Sequence, residues 1–300
     1  MKLFYYKDAK GNFGDDLNPW LFDNICPELL DNNADDLLIG VGTLLNHRVP
    51  KNATISVFGS GFGYGELPEV NTKWHFHCVR GPRTAKALGL DASVAITDPA
   101  ALASIYYSAA FSKQYPVSFI PHHVSANFGD WKSICEQAGI NYIDPSWHYL
   151  KVFEQLKKSS LVITEAMHGA ILADAFRVPW IPVKAYPHIL ESKWSDWLDT
   201  VQLSAGFNQL PSIFSNDKSL SKGEQAKIVL KRSLRSCGLW RADWTPPPPA
   251  NSSRRLIDTC AEQLQKLAST GQSYLSADAV LQNNLERLLA AAEQLKQSRR

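Results

Sequence analysis

The sequence has little net charge, no long apolar run and no apolar leader. Its 31 Lys and Arg residues nearly balance 29 Asp and Glu residues, so the formal net charge of +2 indicates neither nucleic acid nor an anionic membrane as a general partner. No window approaches the ~20 apolar residues of a transmembrane helix. The chain opens directly on the strand-like run KLFYY, without the apolar segment of a signal peptide. We therefore expect a soluble cytoplasmic protein.

Cysteines are few and scattered. They are odd in number, and no two have the CxxC spacing of a zinc or redox motif: Cys26, Cys78, Cys135, Cys237 and Cys260. This set predicts reduced thiols, without a disulfide framework or a zinc site. The pair His122-His123 follows a predicted strand, in which neighbouring side chains point to opposite faces. A two-histidine metal site needs helical spacing or further partners, so we expect no metal.

What the sequence does contain is an alternation of short apolar strands and amphipathic helices. The predicted strands are Lys2–Tyr6, Asp36–Leu45, Thr54–Phe58, Trp74–Val79, Val94–Thr97, Val117–Pro121, Asn141–Ile143, Leu161–Thr164 and Trp180–Val183. The periodicity lapses around Ser108–Gln114 and then resumes. Strand-helix alternation on both sides of a gap predicts an α/β protein of two doubly wound domains that face one another, at residues 1–111 and 112–245.

The last part of the chain has a different character. Pro246–Pro249 predicts a stiff spacer, and two striped helices follow at Arg254–Leu267 and Ala279–Leu295. Residues 246–300 are expected to form a helical appendage that serves packing or oligomerisation. Before the spacer, Glu224–Arg235 predicts a basic helix without the interleaved aromatic residues that bind nucleic acid. Its charge suits a solvated face or a peripheral membrane contact.

The stretch Ser159–Lys184 contains the most informative turn. A buried strand leads into Glu165, His168 and Gly169, and a helix follows. In an open parallel sheet such a turn lies at the carboxyl ends of the strands, where ligands bind. His168 would lie in the first helical turn, where free N–H groups and the helix dipole favour an anion and a neutral imidazole. It is therefore a candidate base beside a phosphate or carboxylate. The alternative is that His168 only packs or caps.

Glycine-rich turns follow two strands of the first half. The run GNFGDD contains Asn12, Gly14 and Asp15, and its glycines allow the backbone to approach a ligand closely. The alternative is a tight turn with a helix cap. A second run, Gly59–Gly65, includes Ser60 and ends another strand at the expected ligand-binding edge. No helix follows this run directly, so it does not match the dinucleotide fingerprint and we expect no nicotinamide cofactor.

Two arginines lie at the start of a predicted helix, Pro82–Leu88. The guanidinium groups of Arg80 and Arg83 can bind a phosphate or carboxylate bidentately. Arginines are otherwise uncommon at a helix start, because the dipole repels them there. The pattern predicts an anion clamp. Asp98, which ends the predicted strand Val94–Thr97, either faces the same crevice or caps a short helix.

Five segments, taken in order, resemble the polysaccharide pyruvyl transferase family and, within it, the bacterial exopolysaccharide branch. They are KLFYYKDAKGNFGDDLNPW, FGSG, VRGPRTAKALGL, TDPA and SLVITEAMHGAILADAFRVPWIPV. Together they span roughly residues 1–197, and the ordered set is more specific than any one segment. After residue 201 the chain has little resemblance that can be assigned.

The resemblance implies a fold similar to that of glycosyltransferase B enzymes, with two Rossmann-like domains facing a cleft. It also implies a reaction in which phosphoenolpyruvate is the donor. Two hydroxyls of one sugar add to its C2 atom, forming a cyclic pyruvate ketal and releasing phosphate. Phosphoenolpyruvate is then a substrate, and no separate cofactor is expected. The implied acceptor is a lipid-linked or polymer-bound saccharide at the cytoplasmic, inner face of the membrane.

Particular residues acquire expected roles from this resemblance. His168 matches the family's functional histidine in an HG motif, and Arg80 is expected to bind the donor's anionic groups, so these two are the candidate catalytic residues. Many family members have arginine two residues before that histidine, where this sequence has Ala166. Arg83, Lys184 and His122 are the candidates to supply the missing charge. The expected substrate-binding residues are Asn12, Gly14, Asp15, Ser60, Arg83, Asp98, His122, Glu165, Gly169 and Lys184.

Two other functions stay open at this level. A nucleotide-sugar-dependent glycosyltransferase of the same fold would use an equivalent helix start and cleft. A non-catalytic saccharide-binding relative would be consistent with Ala166. Phosphate release from phosphoenolpyruvate that depends on an acceptor would distinguish the transferase from both. The sequence does not indicate an oligomeric state.

Overall fold

A computed structural model describes residues 1–215, 221–239 and 247–299. Within them, the first part of the chain forms a four-stranded sheet in the order β1-β2-β3-β4, with all neighbours parallel. Its strands are β1 (Lys2–Phe4), β2 (Asp36–Ile39), β3 (Thr54–Phe58) and β4 (Trp74–Cys78). The register places Leu38 between Leu3 and Ser56. The two central strands are mostly buried, as expected for a parallel sheet covered on both faces.

A second parallel sheet follows, in the order β6-β5-β7-β8-β9. Its strands are β5 (Tyr115–Ile120), β6 (Asn141–Tyr142), β7 (Ser159–Thr164), β8 (Trp180–Lys184) and β9 (Asn208–Gln209). The register pairs Ile163 with Phe119 on one side and with Ile181 on the other. These three side chains are fully or almost fully buried and form part of one apolar cluster. The chain is therefore an α/β protein with parallel sheets, as predicted.

Helices connect and cover these strands. They are α1 (Phe13–Asp16), α2 (Asn18–Ile25), α3 (Pro82–Ala87), α4 (Ala103–Tyr106), α5 (His123–Ala126), α6 (Trp131–Ala138), α7 (Tyr149–Lys158), α8 (Met167–Ala175), α9 (Glu191–Thr200), α10 (Lys222–Ser236), α11 (Arg254–Thr270) and α12 (Asp278–Gln297). Short 3-10 turns occur at Pro27–Leu29, Ala92–Val94 and Pro99–Leu102. The predicted limit between residues 111 and 112 falls between α4 and β5.

Two local predictions are wrong. Val94–Thr97 is not a strand, because Ala92–Val94 forms a 3-10 turn capped by Asp91 and only Ala95 bridges to the first sheet. The pair His122-His123 does not lie in a strand either. His122 is the N-cap of α5, and its Nδ1 accepts the N–H of Val124 (3.3 Å), so both imidazoles turn towards the same side.

The two halves share a large apolar core. Ala100 and Leu102, from the 3-10 turn after β4, belong to the same cluster as Ala170 and Ile171 of α8. Helix α9, which follows β8 of the second sheet, contacts α3, which follows β4 of the first. Burying these faces together favours their close association because apolar surface leaves water. The loops at the carboxyl ends of both sheets are thereby brought together.

The C-terminal helices pack closely on this body. Cys260 and Leu264 of α11 enter the apolar cluster of the second sheet. Helix α12 crosses to the first sheet, where Leu288 is buried and the Arg299 guanidinium contacts Asp36 (3.0 Å). Both helices therefore pack against the sheets. Pro246 and the predicted limit between residues 245 and 246 lie outside the described residues.

Among the described residues, no helix is both long enough and apolar enough to cross a bilayer.

Candidate functional site

A cavity of about 530 Å³ lies where loops of the two sheets meet. From the first half, Asn12 and Thr43 line it in the loops after β1 and β2. From the second half, His122 lies after β5, His168 after β7, and Lys193 on α9. These loops occupy the carboxyl ends of parallel strands, the edge at which open α/β sheets bind ligands.

Helix α8 begins at this cavity without a side-chain cap. Its N-cap residue is Ala166, whose methyl group cannot accept a hydrogen bond. Gly169 and Ala170 donate to the Ala166 carbonyl (2.9 and 3.2 Å). The N–H groups of Met167 and His168 make no hydrogen bond with any described residue, and both residues line the cavity. The helix start therefore offers free donors and the positive end of its dipole to an anion.

His168 is held by residues of the first half. Its ring lies so close to Gly14 that a Cβ atom there would be 2.0 Å from Nδ1, which a larger residue could not accommodate. On the other side, Nε2 lies 3.7 Å from Asp98 Oδ2, and neither atom has a hydrogen-bond partner among the described residues. Asp98 Oδ1 accepts the N–H of Ala100 (3.0 Å). Asp98 thus caps a turn and also faces His168, about 0.5 Å beyond the usual hydrogen-bonding distance.

Two groups with shifted pKa values line the cavity with His168. Burial raises the pKa of Asp15 to about 6, although His168 and Lys193 oppose the shift. Burial and then repulsion by Arg80 lower the pKa of Lys193 to about 7. Lys193 Nζ donates to the Tyr64 hydroxyl (2.8 Å). A carboxyl and an ammonium group that both titrate near neutral pH are suited to proton transfer.

Three further histidines line the cavity. The ring centres of His122 and His123 are 4.3 Å apart, and those of His122 and His188 are 5.1 Å apart. Burial lowers the pKa of each imidazole, that of His122 to about 2, so all three are neutral near pH 7. Across the described ranges, no three His, Cys, Asp or Glu residues are grouped so that they could hold a metal ion.

Glu165 connects three strand ends at the cavity wall. Its Oε1 accepts the N–H groups of Ala185 (2.8 Å) and Tyr186 (3.3 Å), and its Oε2 accepts the N–H of His122 (3.2 Å). Burial raises the pKa of its carboxyl, and these hydrogen bonds oppose the shift. Glu165 therefore holds the loops after β5 and β8 against the start of α8.

Arg80 lies outside the cavity and is fully buried. Its Nε donates to Asp196 Oδ2 (3.1 Å), Nη1 donates to Thr43 Oγ1 (2.9 Å), and Nη2 donates to the Phe62 carbonyl (3.1 Å). The guanidinium thus binds groups of the protein itself. The expected contact with a donor substrate would require these bonds to break.

The start of α3 is filled by the same carboxylate. The N–H groups of Arg83 and Thr84 donate to Asp196 Oδ1 (2.9 and 3.0 Å), and the Thr84 hydroxyl donates to Oδ2 (2.6 Å). Asp196 belongs to α9, more than one hundred residues further along the chain. The predicted anion site at this helix start therefore exists, but its anion is internal.

The remaining predicted residues fall into three groups. Those that line the cavity are Asn12, Asp15, His122, Glu165 and His168. Gly14 and Asp98 contact His168 from outside the cavity wall, and Gly169 packs against Thr164 within the α8 turn. Those that the structure does not bring to the cavity are Ser60, Arg80, Arg83 and Lys184.

The last group has partners elsewhere. Arg83 is exposed and pairs with Asp199 (2.8 Å), whereas Lys184 pairs with Glu191 (2.6 Å). Ser60 is buried and donates to a backbone carbonyl between β2 and β3. Two of the three candidates for the missing charge near Ala166 are thus outside the cavity, and the third is a neutral histidine.

Cations that the sequence analysis missed do line the cavity. They are Lys7, Arg48 and Lys193, and the first two are exposed and form no ion pair with any described residue. One signal for Lys193 was present in the glycine run after β3. A Cβ atom at Gly63 would lie 2.6 Å from Lys193 Cγ, so the absence of a side chain there leaves room for the lysine.

The sequence was also compared with those of known proteins and families. The family model for polysaccharide pyruvyl transferase matches residues 2–185, which include the α1 turn and the start of α8. The succinoglycan biosynthesis protein ExoV of Rhizobium meliloti (strain 1021) is 39% identical over 264 residues, covering 86% of this chain and 79% of that protein. This chain belongs to the polysaccharide pyruvyl transferase family.

Proposed function

We propose that the protein transfers the enolpyruvyl group of phosphoenolpyruvate to two hydroxyls of one sugar residue, forming a cyclic pyruvate ketal during exopolysaccharide biosynthesis. Family membership supports pyruvyl transfer, and the similarity to a succinoglycan biosynthesis protein supports the polysaccharide context. The observation that carries the donor assignment is the uncapped start of α8. It places free N–H groups, His168 and the cation Lys193 around one cavity.

Donor binding requires partners for a phosphate and a carboxylate. The N–H groups of Met167 and His168 suit one of these anions, since they lie at the positive end of α8. Arg48, Lys7 and Lys193 line the same cavity and suit the other, because guanidinium and ammonium groups form strong charge-assisted hydrogen bonds with oxyanions. This set replaces the charge expected at Ala166.

The reaction proceeds in two additions. The first sugar hydroxyl adds to C2 of the donor while C3 gains a proton and becomes a methyl group. The bond between C2 and the phosphate oxygen then breaks, and phosphate leaves with the electron pair. The second hydroxyl adds to C2 and closes the ring. Two hydroxyl protons are lost, one proton is gained at C3, and one is taken up by the departing phosphate, so the reaction is balanced.

His168 and Lys193 are the proposed proton-transfer pair. His168 accepts the hydroxyl proton at Nδ1, because Nε2 is buried opposite Asp98 and this carboxylate orients the ring. Lys193 in its ammonium form delivers the proton to C3, and a pKa of about 7 makes it a better acid than an ordinary lysine. Asp15 lies at the same wall and balances the charge of both groups.

The proposal includes a glycosyltransferase B-like arrangement of two Rossmann-like domains, residues 1–111 and 112–245. Two parallel sheets and a cavity lined by both halves support it. It also places the reaction in the cytoplasm, where a saccharide carried on a membrane lipid is available at the inner face. No separate cofactor takes part.

The test is incubation of the protein with phosphoenolpyruvate and a galactoside, mannoside or glucoside. We expect phosphate release that requires the acceptor, together with a pyruvyl ketal on the sugar detected by mass spectrometry. A matched acceptor with one hydroxyl of the reacting pair O-methylated should form no ketal. Turnover of a nucleotide sugar with no use of phosphoenolpyruvate would instead establish a glycosyltransferase. Binding of saccharide without turnover of either donor would establish a non-catalytic relative.

A further inference from the structure

Helix α10 stands apart from the apolar core. None of its side chains is buried, although it has fifteen residues. The three most exposed large apolar side chains among the described residues lie on it or directly after it: Val229 (56%), Leu230 (61%) and Leu239 (66%). An isolated helix of this length is only marginally stable in water. Its apolar side chains would therefore gain from a partner.

The apolar and the basic residues of α10 form two neighbouring rows. Ala226, Leu230 and Leu234 are spaced by four residues and lie along one side of the helix. The next row has the same spacing and is entirely basic: Lys227, Lys231 and Arg235. An apolar row flanked by lysine and arginine is the pattern of a helix that lies in a membrane interface.

The charge of α10 is strongly one-sided. It contains five basic residues and one acidic residue, Glu224. Glu224 is already engaged, because its carboxylate accepts the N–H and the hydroxyl of Ser221 in a capping box. The remaining charge is complementary to an anionic lipid surface, which attracts basic residues within a Debye length.

Contacts of Arg232 connect α10 to residues near the cavity. Arg232 donates to the carbonyls of Pro248 (2.8 Å) and Pro249 (2.5 Å). Ser252, three residues after Pro249, donates its N–H to the Phe214 carbonyl (2.8 Å). Ser215, which follows Phe214 in the chain, donates its N–H to the carbonyl of Phe128 (2.7 Å).

Phe128 completes this connection. Its ring lies 6.0 Å from that of His188, which lines the cavity. Helix α10 is thus linked to one wall of the cavity through these contacts.

We propose that α10 docks the protein on an anionic phospholipid membrane, with Ala226, Leu230 and Leu234 among the headgroups and the basic row on the lipid phosphates. This inference rests on the proposed function for its purpose, because it would hold the cavity beside a lipid-linked saccharide. Its physical content is independent of catalysis. Vesicle binding needs neither donor nor acceptor.

Cosedimentation with vesicles tests the proposal. The full-length protein should bind vesicles of phosphatidylglycerol and phosphatidylcholine, should bind pure phosphatidylcholine far more weakly, and should be released by salt. The double variant Lys231→Glu/Arg235→Glu should bind at least ~10-fold more weakly, since each basic residue contributes measurably to such attraction. Leu230→Asp should also weaken binding. No side chain of α10 is buried, so both variants should fold.

The matched control is Arg255→Glu/Lys266→Glu, which makes the same charge change on exposed positions of α11. It should bind vesicles like the unaltered protein. Equal losses in the two double variants would overturn the proposal, since the effect would then come from net charge alone.

Failure of the unaltered protein to bind anionic vesicles would also overturn it. So would a dimer in sedimentation velocity that Leu230→Asp dissociates, because a second copy would then be the partner. Phosphate release with a soluble acceptor should be unchanged in the α10 variants, which separates this test from that of the proposed function.

Discussion

Two helix starts, those of α3 and α8, are built alike but are filled differently. Each follows a strand of a parallel sheet and offers N–H groups that the helix does not use. At α3, Asp196 accepts the N–H groups of Arg83 and Thr84. At α8, the N–H groups of Met167 and His168 have no partner among the described residues and lie at the cavity. The first site is closed by the protein, and the second is open to a ligand.

Helix α9 accounts for this difference. It places Asp196 at α3 and Lys193 at the cavity, three residues apart on one helical face. One turn of helix therefore neutralises the first anion site and adds a cation to the second. An anion site predicted from a helix start is a ligand site only when no carboxylate from elsewhere in the fold reaches it.

The largest expected effect comes from the open helix start. His168→Ala should lower kcat by ~10²- to 10⁴-fold, because loss of a general base typically costs that much. The melting temperature should change little, since the ring borders a cavity. His75→Ala is the matched control, because this histidine is exposed on β4 and does not line the cavity. Activity of the His168 variant equal to that of the control would remove His168 from the mechanism.

Substitutions beside the closed start of α3 should change the stability of the protein. Arg80→Ala leaves the Asp196 carboxylate buried without its guanidinium, so we expect a loss of about 3–5 kcal/mol in the free energy of unfolding in urea. The neighbouring variant Arg83→Ala removes an exposed ion pair and should cost only ~0.2–1 kcal/mol.

Substrate kinetics complete this comparison. At a temperature where the Arg80 variant is still folded, its KM for phosphoenolpyruvate should equal that of the unaltered protein. Arg80→Lys provides a milder variant if the alanine form does not accumulate. A large rise in KM with little loss of stability would show that Arg80 binds the donor. The donor would then replace Asp196 as the partner of the guanidinium group.

The smallest expected effect is on the pH dependence of kcat/KM, which we assign to Lys193 of α9. The pKa of Lys193 is lowered to about 7, so the ammonium form is lost as pH rises through that value and kcat/KM should fall above it. Lys193→Arg keeps the charge at all these pH values, so its alkaline decline should be absent, even if its maximal rate is lower. Lys132→Arg, an exposed substitution on α6, should leave the profile unchanged. An alkaline decline that persists in the Lys193→Arg variant would assign it to another group.

Local patterns were sufficient for much of the fold. The strand Thr54–Phe58 occurs with the predicted bounds, because apolar periodicity and clear end signals act within a few residues. His168 lies in the first turn of α8 as predicted, for the same reason.

Predictions failed or were incomplete where distant contacts decide. Val94–Thr97 has the composition of a strand, but a capped turn and packing in the fold leave it only one bridge to the sheet. Arg80 is cationic at a helix start as expected, yet its partner is Asp196. Lys193 lies on α9, and nothing within that helix indicates that the lysine lines the cavity.

The amino-acid sequence alone determined the α/β class, most strands and helices, and the two helix starts that favour anions. These follow from backbone preferences and side-chain spacing, which act over a few residues. Only the tertiary structure decided which helix start stays open. That choice depends on how α9 packs across both halves, since a carboxylate satisfies the free N–H groups of α3 only when the fold brings it within hydrogen-bonding distance.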